Sequence, residues 1–404
     1  MIINTTVKPL PGPKSFYGWQ NLRDLGQKGM LEFIAQQWRE HGDLFEVQVG
    51  PQKLVIVIHP EYIRHITLTN APNYEKLKSY DPVRKYIIGD GLVTSTGELW
   101  KRQRRLMAPF YTPRGVQEFA EIMLRDTMTM TDRWEGLAAE RTLVEMFDEM
   151  ALVTASIVLK AIFSTESTDD ILWIKHDVET MISYAGSKSA NPFQFPDWVP
   201  TTDNRNFWNA QRRVHEYIDG VLNRRLDMDE WDYPNDLLSK LILAEDPETG
   251  ERMSRKLLRD EALTNFFAGY ETSARSMSYA WYALANNPSV RAKLHEELDR
   301  ELGDAIPTLD TLKQLPYTLR VIKETLRLFP PAPMYAKDVI DDDVIDGYRI
   351  EKGSVMLLCP YFTHRHPAFW DDPLRFEPNR HLSLIHISEP TRRTPISYAV
   401  FCLK

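Results

Sequence analysis

The chain has 404 residues, with 49 Lys and Arg against 57 Asp and Glu, and a net charge of −8. Hydrophobic residues make up 43% of it, enough to build one large core or two smaller ones, and only two cysteines occur, Cys359 and Cys402. The acidic balance argues against a general nucleic-acid binder, and the cysteine usage argues against a disulfide framework.

Residues 1–20 read as coil punctuated by Pro9, Pro11, Gly12 and Pro13. They hold no apolar run long enough for a signal peptide or an anchor helix, which predicts a soluble, cytoplasmic protein. A helix is predicted over 30–41, with Leu31, Ile34, Ala35 and Trp38 on one face. Strands follow over 44–49 and 54–58 about a Gly50-Pro51 turn, then a short helix opened by Pro60. Residues 71–93, with Pro72, Pro82, Gly89 and Gly91, read as loop. The stretch 97–109 starts a helix in which Trp100 and Arg104 share a face.

Helical pattern then fills 113–163, with a break near Gly136, and 167–226. The second run is interrupted by an aromatic connector, 192–200, which is placed as a lid over a pocket. A short helix over 235–245 and a turn over 246–252 lead into the longest helical run, 263–285. Leu263, Phe266, Phe267 and Tyr270 form its apolar stripe, continued by Trp281, Leu284 and Ala285. Helices over 288–302 and 315–328 and short strands over 339–356 follow, and the rest is loop-rich. No βαβ alternation and no internal repeat occur, so the fold is mainly α with small antiparallel sheets.

Three constellations stand out. In the long helix, Ala268-Gly269 removes bulk where a core helix carries it, and Glu271-Thr272 follows with a carboxylate and a hydroxyl. Close packing at a small-residue notch explains this run as readily as a flat ligand pressed against it. Glu324 and Arg327 lie on one helix face among Leu319, Val321, Ile322, Leu326, Leu328 and Phe329. A pair buried there needs further partners to offset desolvation. The segment Phe376-Glu-Pro-Asn-Arg380 offers a third member, Arg380. Trp100 and Arg104 present an indole N–H and a planar guanidinium, a pairing suited to carboxylates, although Lys101, Arg102 and Arg105 also make this a basic face. His364 and His366 lack a third ligand and read as a polar turn rather than a metal site.

Taken together, W-x-x-x-R, A-G-x-E-T, E-x-x-R and F-x-P-x-R, in this order along 10–380, resemble the cytochrome P450 family. The resemblance implies the family's prism fold, haem b and monooxygenase chemistry on a lipophilic substrate. It also implies NAD(P)H electrons delivered by a ferredoxin, flavodoxin or reductase to a monomer without a membrane anchor. It assigns Trp100 and Arg104 to a haem propionate, and Ala268 and Gly269 to the oxygen site. Thr272 and Glu271 would relay protons to dioxygen. Glu324, Arg327 and Arg380 would form a buried network, and Phe267, Ala332 and Met334 would line the substrate pocket. The basic face of the Trp100 helix is also expected to receive an acidic electron donor.

The family's iron ligand is a Cys flanked by Gly soon after F-x-P-x-R, and no such element follows Arg380. Cys402 lacks both glycines, and Cys359 reads as a small buried hydrophobe. From about Leu382 the chain resembles translated adapter sequence. The expectation is therefore a P450 domain over 1–381, incomplete at its C-terminus, a non-native tail over 382–404, and an inactive polypeptide. The rivals are a haem-thiolate isomerase or peroxygenase, which often lacks the Glu-Thr pair, and a helical ligand-binding protein without catalysis.

Overall fold

The computed structural model describes residues 7–15, 18–50, 52–76, 78–190 and 195–382, with the side chains of residues 189 and 190 left aside. The chain divides into two compact units. One holds the residues up to Ser79, 282–306 and those from Lys313 on; the other holds 80–281 and 307–312.

The first unit carries the β-structure. β1 (Leu44–Val49) and β2 (Gln52–Val57) form a hairpin with Phe45 opposite Ile56 and Val47 opposite Leu54. β3 (Tyr74–Glu75), β4 (Tyr335–Val339) and β7 (Val355–Leu358) complete a five-stranded sheet of order β1-β2-β7-β4-β3. β5 (Asp343–Ile345) and β6 (Tyr348–Ile350) pair separately. Among the named strands every pairing is antiparallel except β2 with β7. The period of two along β2 explains the core. Val55 and Val57 turn to one face with Met356 and Leu358, while Ile56 and Ile58 turn to the other with Phe45 and Val47. The Met30–His41 helix covers that second face, burying Phe33 and Ile34, with Leu31, Ala35 and Trp38 half-buried beside them.

The second unit is helical, and the Arg255–Asn286 helix is its longest element. Leu263, Phe266 and Tyr270 join its main core, and the Phe266 and Tyr270 rings stack with centroids 4.9 Å apart. The stripe does not continue as expected: Trp281 is exposed and Ala283 is the buried residue near the end. The Met146–Phe163 helix crosses at the thinned middle. A Cβ on Gly269 would lie 3.2 Å from Val158 Cγ2, and Thr154 Oγ1 donates to the Tyr270 carbonyl at 3.1 Å.

Two local expectations are corrected. The helix starting at Ala120 runs through Gly136 to Ala139, and the break falls at Arg141, whose φ is 55°. Its last turn closes through the Thr142 N–H on the Leu137 carbonyl, which needs no glycine. Residues 71–93 are not plain loop either. They hold short turns of helix, including a wide-turn segment at Arg84–Ile88 that buries Tyr86, Ile87 and Ile88.

Candidate functional site

The Pro316–Leu328 helix has no proline beyond its first turn, and its apolar face packs Tyr317, Val321 and Leu328 into one cluster. Leu319 and Ile322 lie on the open side instead. Glu324 is 0% exposed and Arg327 1%. They form a two-pronged pair, with Nε and Nη2 of Arg327 each 2.8 Å from a carboxylate oxygen. Arg327 Nη1 donates to the carbonyls of His364 at 2.7 Å and Pro373 at 2.8 Å, and its guanidinium lies 4.9 Å from the Trp370 ring centre.

Glu324 accepts further bonds from the Glu377 N–H at 2.9 Å, Arg380 Nε at 2.9 Å and His381 Nε2 at 3.0 Å. Burial works to raise its pKa, but the hydrogen bonds from Arg327 and His381 outweigh it and hold the group at about 2. The three residues picked from sequence meet here. His381 and Trp370 were missed as members; the only sequence signal was a His beside Arg380 and a Trp in Phe369-Trp-Asp-Asp-Pro373.

On the long helix, Ala268 and Thr272 share an exposed face, and Thr272 Oγ1 donates to the Ala268 carbonyl at 2.6 Å. Glu271 turns away from Thr272 and accepts from Arg275 Nη2 at 2.6 Å and Nε at 3.1 Å. Gly269 faces Val158, so its missing side chain serves the helix crossing. Phe267 is half-buried against the main core, whereas Phe266 belongs fully to that core.

The Gly97–Met107 helix buries Gln103, Leu106 and Met107. Arg104 is exposed, its guanidinium 5.5 Å from the Trp100 ring centre, and both line a shallow surface depression with Ala108. The other cations of this helix are already paired. Arg102 meets Glu251 at 3.0 Å, Arg105 meets Asp246 at 3.1 Å and Glu248 at 2.9 Å, and Lys101 meets Glu98 at 2.7 Å. The expected basic docking face is therefore offset by the chain's own carboxylates.

In the other unit, Ala332 is exposed and Met334 packs at the edge of the β2–β7 cluster. His364 gives its carbonyl to Arg327, and His366 Nε2 lies 3.1 Å from Asp43 Oδ1, which also accepts from Trp38 at 2.7 Å. Both histidines thus serve the fold. Part of the 192–200 connector and nearly all of the 382–404 tail lie outside the described residues.

The donor chemistry of two groups of residues fits a haem. Arg104 beside the Trp100 indole suits a carboxylate, and the Ala268–Thr272 face combines small bulk with a hydroxyl. The sulfur donor has no counterpart among the described residues. Their sole thiol, Cys359, is fully buried, donates to the Leu357 carbonyl at 3.3 Å, and is pushed well above the usual thiol range by burial.

Comparison with known proteins gives the family. The family model described as "Cytochrome P450" matches residues 10–393. "Cyclooctatin synthase" of Streptomyces melanosporofaciens is 33% identical, over 87% of this chain and 75% of its own. "Cyclooctat-9-en-7-ol 5-monooxygenase" of the same organism is 31% identical, with the same coverage. Among solved structures, the cytochrome P450DA heme domain superposes with a TM-score of 0.84 at 28% identity, covering 97% of this chain and 85% of that one. The chain belongs to the cytochrome P450 family, whose cofactor is haem and whose reactions are oxygenations. Among the described residues no helix is long and apolar enough to cross a membrane.

Proposed function

We propose that this chain is the body of a haem-thiolate monooxygenase that inserts one oxygen atom from O2 into a lipophilic organic substrate, with electrons from a redox partner. The observation that carries this reading is the Ala268–Thr272 face of the long helix, a small residue and a hydroxyl exposed together one turn apart on the helix that packs Leu263, Phe266 and Tyr270 into the main core. Bound haem b would supply the iron chemistry of O–O cleavage, which the family runs through a thiolate ligand.

The chain's own residues would do the rest. Trp100 and Arg104 would hold a propionate. Ala268 leaves room at the oxygen side, and Gly269 lets the crossing helix approach there. The Thr272 hydroxyl, now bonded to its own turn, would turn outward to hand on a proton, and Glu271 would feed it after releasing Arg275. Phe267 would contact the substrate, and its apolar character favours a lipophilic one. The relatives' names, one of them a monooxygenase of cyclooctat-9-en-7-ol, support that class.

The polypeptide as it stands is expected to be inactive, because Cys359, the sole thiol among the described residues, is packed in a core whose burial pushes it up, away from the thiolate. The test is dioxygen consumption by the haem-loaded chain with a ferredoxin, its reductase and NADPH. The expected result is no substrate-dependent consumption here, and consumption on supplying a Gly-flanked cysteine loop after Arg380. A chain supplied with that loop that binds haem with thiolate ligation yet consumes no dioxygen under electron supply would refute the monooxygenase reading.

A further inference from the structure

Two adjacent carboxylates in the first half of the long helix are buried without any part in the chemistry above. Asp260 is 4% exposed and Glu261 0%. Such groups cost free energy unless hydrogen bonds repay it. Their partners are backbone amides of the 89–95 loop. The Asp90 N–H donates to Asp260 Oδ2 at 3.0 Å and the Leu92 N–H to Glu261 Oε2 at 3.2 Å. Lys256 Nζ bridges Asp260 at 2.6 Å and the Asp90 side chain at 2.7 Å.

The loop is shaped for this seat. A Cβ on Gly89, whose φ is +58°, would overlap the Asp260 carboxyl, and one on Gly91 would overlap Thr264 Oγ1. On its other side the Asp90 carbonyl accepts from Gln103 Nε2 at 2.7 Å, and Gln103 is 0% exposed. One loop residue thus receives the long helix through its N–H and the Trp100/Arg104 helix through its carbonyl.

We propose that Asp260 and Glu261 are positioning residues: they seat the 89–95 loop by its backbone and so fix the Trp100/Arg104 pair relative to the Ala268–Thr272 face. This rests on the haem reading of those two groups. The geometry itself does not, because the seat is built entirely from the chain's own atoms.

The test compares the purified chain with Glu261→Leu, Glu261→Gln and Gly91→Ala, by amide hydrogen exchange over residues 89–107 and by haem titration. Leucine removes the acceptor for the Leu92 N–H, glutamine keeps one, and alanine forces the loop off the helix. Faster exchange over 89–107 and a haem dissociation constant raised about tenfold are expected for Glu261→Leu and Gly91→Ala, with Glu261→Gln within about twofold of the parent. Unchanged exchange in Glu261→Leu overturns the proposal, and so does faster exchange with unaltered haem affinity. If the parent chain takes up no haem, the cofactor reading fails on its own account. Exchange then decides the seat: protection lost in Glu261→Leu and kept in Glu261→Gln upholds it, and equal protection in all variants overturns it.

Discussion

The Glu324 network and the Thr272 face are both polar groups on helices that pack into a core, yet they resolve their polarity in opposite ways. Glu324 collects donors from Arg327, Arg380, His381 and the Glu377 backbone, all within the described residues. The Thr272 hydroxyl bonds back to the Ala268 carbonyl and stands exposed. A cluster closed on itself holds a fold, whereas a hydroxyl left open on a core helix is available to a ligand. Motif strength alone does not separate these roles, because both are family signatures. The partners do.

The largest expected effect tests the closed cluster. Glu324→Ala leaves the buried Arg327 without its carboxylate, and a loss of about 3–5 kcal/mol is expected in urea unfolding. A loss under about 1 kcal/mol would mean that the network is decoration. The same group sets an acid limit. Its pKa is lowered on folding from 4.5 to about 2, so its contribution is complete above 4.5 and is lost as pH falls toward 2. Thermal melts of the parent should weaken through that window, and Glu324→Gln should lack that part of the slope.

A middle effect tests why the long helix is thin at Gly269. Gly269→Val should cost about 1–3 kcal/mol by crowding Val158, and Val158→Ala should restore much of that. No recovery in the double variant would move the crowding to another neighbour.

The smallest stability effect falls on the open face. Thr272→Val should change unfolding by no more than about 0.5 kcal/mol, since the hydroxyl only bonds back to its own helix. In a chain supplied with a Gly-flanked cysteine loop, the same change should lower product formed per dioxygen consumed. Unaltered coupling there would remove Thr272 from the chemistry.

Much of this was legible in the sequence. Glu324 and Arg327 share a helix face by spacing, and the F-x-P-x-R segment named Arg380. His381 was not legible, because it reaches Glu324 only through the tight turn Pro378–His381. The small-residue run was visible, but Val158, the neighbour that explains Gly269, sits on a different helix. The basic face of the Trp100 helix looked free because Asp246, Glu248 and Glu251, which offset it, lie far along the chain. Spacing within one element reports shared faces. Contacts across elements depend on packing that no local pattern records.

The most direct test of the account is the absorption spectrum of the reduced carbon monoxide adduct of the purified 404-residue chain after haem loading. The account predicts haem uptake that weakens in Trp100→Ala and Arg104→Ala, with no thiolate-type Soret band. A thiolate-type band from this chain would contradict it.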